Sequence, residues 1–238
     1  MATAQSLTPI FDRLEKAVSK LKFAPPVSHV YNPLTYAKEP FRLYLERYLA
    51  GPAGRTLLLG MNPGPWGMAQ TGVPFGEIAA VRDWLGLEAA VTQPKTSHPA
   101  RPIEGFACAR SEVSGRRLWG LFSSLCASPE EFAKQYVIVN YCPLVFMEES
   151  GRNRTPDKLP KAEREPLYQA CDKALGELLK LLELQRAIGV GRFAEERLRR
   201  VTESLELELP VTTILHPSPA NPRANADWEG EVLPVLRA

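Results

Sequence analysis

The sequence predicts an α/β fold, a single-domain three-layer sandwich with a mostly parallel central sheet flanked by helices, over residues 1–238. Two observations carry that expectation. Short apolar runs at residues 55–59, 136–139, 186–190 and 209–215 alternate with longer segments whose apolar residues recur at helical spacing. Three of these runs open into turns rich in proline, glycine and polar residues, the places where open parallel sheets build ligand sites. A length of 238 residues, 45% of them apolar and 24% charged, suits one hydrophobic core.

In chain order, Thr8 and Pro9 read as an N-cap and first helical position, with a helix over 9–22 carrying Ile10, Leu14, Val18 and Leu21 on one face. After Pro25-Pro26, Tyr31, Tyr36, Phe41, Tyr44 and Tyr48 form an aromatic-rich approach to a second helix, read as core packing. The run Leu57-Leu58-Leu59 is a buried strand that opens at Gly60 into a loop stiffened by Pro63, Pro65 and Pro74. Residues 79–87 continue helically to Gly86, and 93–105, with three prolines, read as a surface loop. A helix over 114–125 begins near Ser114, with Arg116 and Arg117 in its first turn; a bound phosphate and a solvated basic turn both fit that pattern. Ser128-Pro129-Glu130-Glu131 starts another helix, and a strand over 136–139 ends at Asn140. A basic loop over 150–164, a long helix over 165–184, a strand over 186–190, a helix over 192–200 and a strand over 209–215 follow. The last strand runs into the proline-rich loop 216–225, so the C-terminal sheet edge would bring Asn62, Asn140 and His216 together.

The formal charge of +2 is too small to announce a nucleic acid partner by itself. Cys108, Cys126, Cys142 and Cys171 lie far apart, which reads as buried thiols in a reducing compartment and gives no metal site. With no long apolar run and no signal-peptide pattern, an intracellular protein with no membrane association is expected. The loops hold no carboxylate pair and no nucleophile beside a base. They hold His216, a lone histidine that reads either as structural or as a rigidly held donor toward a developing anion, and Asn62, whose amide must find partners in an apolar wall. Asn140 could read a base edge, and Phe75 offers a face for stacking.

The stretches GMNPGPWGMAQTGVPFGE (60–77), NYCPL (140–144) and HPSPANPRAN (216–225) resemble the motifs of the single-strand-selective monofunctional uracil-DNA glycosylases. VYNPLTYA, SEVSGRRLWG, SGRNRTP and GVGRFAEER extend the similarity over nearly the whole chain. The resemblance implies excision of uracil and 5-hydroxymethyluracil from single- and double-stranded DNA, as a first step of base excision repair, by a monomer without metal or cofactor. It assigns Asn62 to the attacking water and His216 to uracil O2, with Phe75 stacking on the flipped base, Asn140 on its Watson–Crick edge, and Met61 and Gly64 lining the pocket. Gly64 is expected to leave open space beside C5 of the base. DNA contacts are implied for Arg152, Arg154 and Lys158 in the basic loop and for a wedge formed by Pro217, Ser218, Pro219, Asn221, Pro222, Arg223 and Asn225. Two positions depart from the family pattern: Ala220, where vertebrate members commonly have arginine, and Trp66, where phenylalanine is frequent. Two other readings stand beside this one, a catalytically reduced nucleic-acid-binding domain of the same fold and a hydrolase of free nucleosides.

Overall fold

The computed structural model describes residues 1–237. Its centre is a four-stranded sheet in the order β3-β2-β6-β7, and every pairing in it is parallel. The chain reaches it through helix α1 (Ala4–Val18), strand β1 (Val27–Tyr31), the short helix α2 (Pro33–Tyr36) and α3 (Lys38–Tyr44), which runs on as a π-helical turn over Leu45–Leu49. Strand β2 (Thr56–Gly60) follows, then α4 (Met68–Thr71), α5 (Val113–Leu125) and α6 (Pro129–Gln135). The chain continues through β3 (Tyr136–Asn140), β4 (Val145–Glu148), β5 (Asn153–Arg154) and the long helix α7 (Lys161–Leu182). It ends with β6 (Arg186–Val190), α8 (Arg192–Ser204), β7 (Val211–Ile214) and α9 (Pro222–Arg237).

β2 is paired on both edges and covered on both faces, so Leu57, Leu58 and Leu59 are all fully buried. Helix α8 packs on β6, β7 and β2, α9 packs on β7, and α7 packs on α1 and α8. The expected aromatic core is present: Tyr31, Tyr36, Tyr44 and Tyr48 are buried, and each hydroxyl donates to a backbone carbonyl, at Arg101, Ala69, Ile138 and Leu85. Arg55 is also fully buried, and donates to the carbonyls of Tyr48, Leu49, Pro52 and Ala133.

Several elements differ from the sequence expectation. The first helix starts at Ala4, because Thr3 and Ser6 cap each other while Ala2 pairs with Gly51, and Pro9 lies inside it. Among the strands, antiparallel pairing occurs in a second, three-stranded sheet, β1-β4-β5, which takes in part of the expected basic loop. The loop over 93–105 stays irregular but is not wholly on the surface, since His98 and Ile103 are buried. The proline-rich segment after His216 is a loop only as far as Asn221, whose Oδ1 accepts from the Arg223 N–H as α9 begins at Pro222.

Candidate active site

Register brings the site residues together. Gly60 at the end of β2 lies opposite Asn140 at the end of β3, and the pairing continues as Tyr141 N–H donates to Gly60 O and Cys142 N–H to Met61 O, both at 2.9 Å. On the other side of the sheet, β7 ends at Ile214, two residues before His216. Asn62, Asn140 and His216 therefore share one pocket of about 390 Å³, with Met61, Pro63, Gly64 and Phe75 in its walls. That volume lies within the usual range for small-molecule sites.

Asn62 is held by its amide nitrogen, which donates to Leu144 O at 3.0 Å and Pro63 O at 3.4 Å. A carbonyl can only accept, so Oδ1 is left facing away from both, and no described residue donates to it. His216 Nδ1 accepts from the Ser218 N–H at 3.1 Å. Burial pushes the imidazole down to about 4, so the ring is neutral near pH 7 and its one proton sits on Nε2. The histidine is thus a neutral donor.

Phe75 frames the slot, its ring centroid 6.3 Å from that of His216. Its backbone adopts a positive φ of 52°, uncommon for a bulky residue and characteristic of functional sites. The turn is held by Trp119 Nε1 donating to Pro74 O, Glu77 N–H to Phe75 O and Thr71 Oγ1 to Gly76 O. Gly60 permits this packing, because a Cβ there would overlap Asn140 Oδ1 and the Phe75 ring. Asn140 Nδ2 donates to the Met68 sulfur at 3.3 Å, while its Oδ1 is buried with no partner among the described residues. An unpaired buried acceptor costs roughly 1–3 kcal/mol and marks a place for a ligand donor.

Residues 49–237 match the family model of the uracil DNA glycosylase superfamily. Over 217 residues the chain is 51% identical to the single-strand selective monofunctional uracil-DNA glycosylase of Rattus norvegicus, covering 91% of this chain and 78% of that one. The corresponding proteins of Bos taurus and Mus musculus are 51% and 50% identical, over 79% and 77% of their lengths. The chain belongs to the single-strand-selective monofunctional uracil-DNA glycosylases. The fold is also shared with the crystal structure of Pedobacter heparinus SMUG2, at a TM-score of 0.67 and 18% identity, covering 96% of this chain and 95% of that one.

Within this glycosylase pocket the sequence reading missed Glu112, Ser114, Asn153 and Thr155, which all line it. Glu112 and Ser114 belong to the SEVSG motif at the start of α5, but nothing in their periodicity marks them as pocket residues. Glu112 also corrects the expectation at Gly64. The space beside that glycine is not open, because a Cβ there would overlap Glu112 Oε1.

The outer residues divide by their partners. Arg152 and Lys158 are exposed, the latter 3.5 Å from Asp157. Arg154 instead turns inward, donating to Glu148 and twice to Lys158 O, which shapes the loop. Arg223 pairs with Glu231 along α9. Arg117 joins α5 to the loop after His216, with Nη1 donating to Pro217 O and Nη2 to Asn225 Oδ1. Asn225 Nδ2 in turn donates to Pro219 O. Among the described residues there is no cluster of three or more metal-ligating side chains, and no helix is long and apolar enough to cross a membrane.

Proposed function

We infer that this protein is a monofunctional uracil-DNA glycosylase that hydrolyses the N-glycosidic bond of a flipped base with Asn62 and His216. The observation that carries this assignment is the pairing, in one pocket, of an asparagine anchored only through its nitrogen with a neutral histidine whose free nitrogen is a donor. Asn62 Oδ1 accepts a hydrogen bond from water and aims the water's lone pair at the sugar C1′. The new C–O bond forms there as the C1′–N1 bond breaks, and the surplus proton of the water passes to solvent. As the C1′–N1 bond breaks, negative charge gathers on the base, and His216 Nε2–H donates to O2. A neutral donor suits this task, since it stabilises the anion without giving up its proton. Phe75 stacks on the extruded ring. Asn140 Oδ1, which has no partner among the described residues, accepts from N3–H, and its amide nitrogen donates to O4. Met61 and Gly64 complete the wall. No lysine lines the pocket, in keeping with hydrolysis that leaves the abasic strand uncut.

DNA is the substrate. The loop Pro217, Ser218, Pro219 with Asn221, and the first turn of α9 with Pro222, Arg223 and Asn225, form the wedge that fills the gap left by the base. Arg152 and Lys158 meet phosphates, and Arg154 positions their loop. Single- and double-stranded DNA are both substrates, 5-hydroxymethyluracil is excised as well as uracil, and the protein acts as a single-domain monomer.

Incubation with a uracil-containing oligonucleotide in EDTA, with free deoxyuridine in parallel, tests this reading. Free uracil and an uncleaved abasic strand are expected from the oligonucleotide, and no turnover of the nucleoside. Binding without release of uracil would leave only a nucleic-acid-binding domain, and turnover of deoxyuridine would point to a nucleoside hydrolase.

A further inference from the structure

Trp66, one of the two positions at which the sequence departs from the family pattern, carries two arginines. The guanidinium carbon of Arg101 lies 5.1 Å from the ring centroid and that of Arg110 lies 5.3 Å from it. Both distances fall where a cation is attracted to a ring face, and tryptophan attracts most strongly. Unlike Arg154, Arg197 and Arg223, neither arginine forms an ion pair with a carboxylate among the described residues. Arg101 Nη1 donates to Ala100 O at 2.7 Å, and its Nε is buried with no partner. Its Nη2 and the whole guanidinium of the exposed Arg110 make no hydrogen bond among the described residues. Two like charges thus share one ring, an arrangement that repels itself until an anion joins it.

The ring belongs to the loop after β2 but does not line the pocket. It stands two residues beyond Gly64, and Arg110 stands two residues before Glu112, both of which do line it. Two residues of extended chain span at most about 7 Å, so the cluster sits beside the pocket. On its other side Arg101 meets the tip of the basic loop. A Cβ on Gly151 would be 3.6 Å from Arg101 Cζ, and the next residue is the exposed Arg152.

We propose that Trp66 holds Arg101 and Arg110 as a clamp for a backbone phosphate of the DNA strand next to the flipped nucleotide. This rests on the DNA reading above. Stacking over the ring occupies the faces of the guanidinium groups and leaves their N–H edges for phosphate oxygens, which such edges meet in pairs. A phosphate there also cancels the repulsion between the two cations. The contact fixes where the strand lies and reads no sequence.

Single-turnover excision of uracil from a single-stranded oligonucleotide, titrated with enzyme across a salt series, tests this in wild type, Arg101→Gln, Arg110→Gln, Trp66→Leu and Trp66→Phe, with melting temperatures in parallel. Each arginine variant should raise the half-saturating enzyme concentration several-fold and flatten its log–log salt slope by about 0.7, the share of one phosphate contact on a single strand. Trp66→Leu should weaken binding about two- to five-fold and Trp66→Phe less, and Trp66→Leu should add nothing once both arginines are glutamine. Replacing phosphates one at a time by neutral methylphosphonates should reveal a linkage near the uracil that matters to wild type and not to the double glutamine variant. An unchanged salt slope in Arg110→Gln, a change at an exposed side chain, would overturn the proposal. So would a Trp66→Leu loss that persists in full without the arginines, or equal methylphosphonate penalties in both enzymes at every linkage. A wild type that excises no uracil would overturn the substrate reading, and the proposal with it.

Discussion

His216 and Glu112 line one pocket, and burial shifts them in opposite directions, the imidazole down to about 4 and the carboxyl up to about 7. Both shifts favour the neutral form, and each links folding to pH with its own sign. Between about 6.5 and 4 the unfolded chain binds a proton at residue 216 that the folded chain does not, so stability falls as pH drops. At residue 112 the folded chain holds the extra proton between 4.5 and about 7, so stability falls as pH rises. Thermal melts across pH should show His216→Gln losing less stability than wild type on acidification from 6.5 toward 4, and Glu112→Gln losing less on alkalinisation from 4.5 toward 7. Parallel curves for wild type and either variant would show that the group is not desolvated as the structure has it. At this scale the sequence was informative where chain rigidity marked a residue. His216 and Asn62 stand out because each is followed by proline at the end of an apolar run. Glu112 does not, because its meaning depends on Gly64 and Gly67, which come near it only in the folded chain.

Among the elements, the loop after β7, proposed above as the wedge, is held by a distant side chain. Arg117 from α5 holds Pro217 and Asn225, one on either side of the exposed Ala220. Replacing Arg117 with Gln is expected to lower excision from duplex DNA several-fold more than excision from single strands, since only the duplex requires a gap to be filled. An equal loss on both substrates would place the defect in the pocket instead. Ala220 lacks a side chain long enough to plug that gap. Ala220→Arg should tighten binding to abasic duplex product, slow its release and steepen the salt dependence of the affinity. Product affinity unchanged across a salt series would show that residue 220 does not face the DNA. The central strands were legible because parallel strands covered on both faces read as unbroken apolar runs, as in Leu57-Leu58-Leu59 and Val137-Ile138-Val139. β1 and β5 were not, since they are short, partly exposed strands that form only by pairing with β4. The start of α9 was hidden by prolines that read equally well as a loop, although Pro222 sits where a first helical turn tolerates it.

At the scale of the whole molecule, the parallel sheet turns residues far apart in sequence into neighbours. β2, β3 and β7 run in one direction, so the loops after them converge at one edge, and a motif reading of those loops is also a reading of the pocket. Family membership agrees with that geometry, since 51% identity over 91% of the chain leaves little of the fold free to differ. Asn62, as the holder of the attacking water, and His216, as the donor, are proposed to act on one glycosidic bond. Single-turnover release of uracil from a single-stranded oligonucleotide by Asn62→Ala and His216→Leu tests it most directly. Each variant should fall by roughly 10²-fold or more while still melting as a folded protein, the loss expected for a transition-state donor or its partner. A wild-type rate in either variant would contradict the assignment.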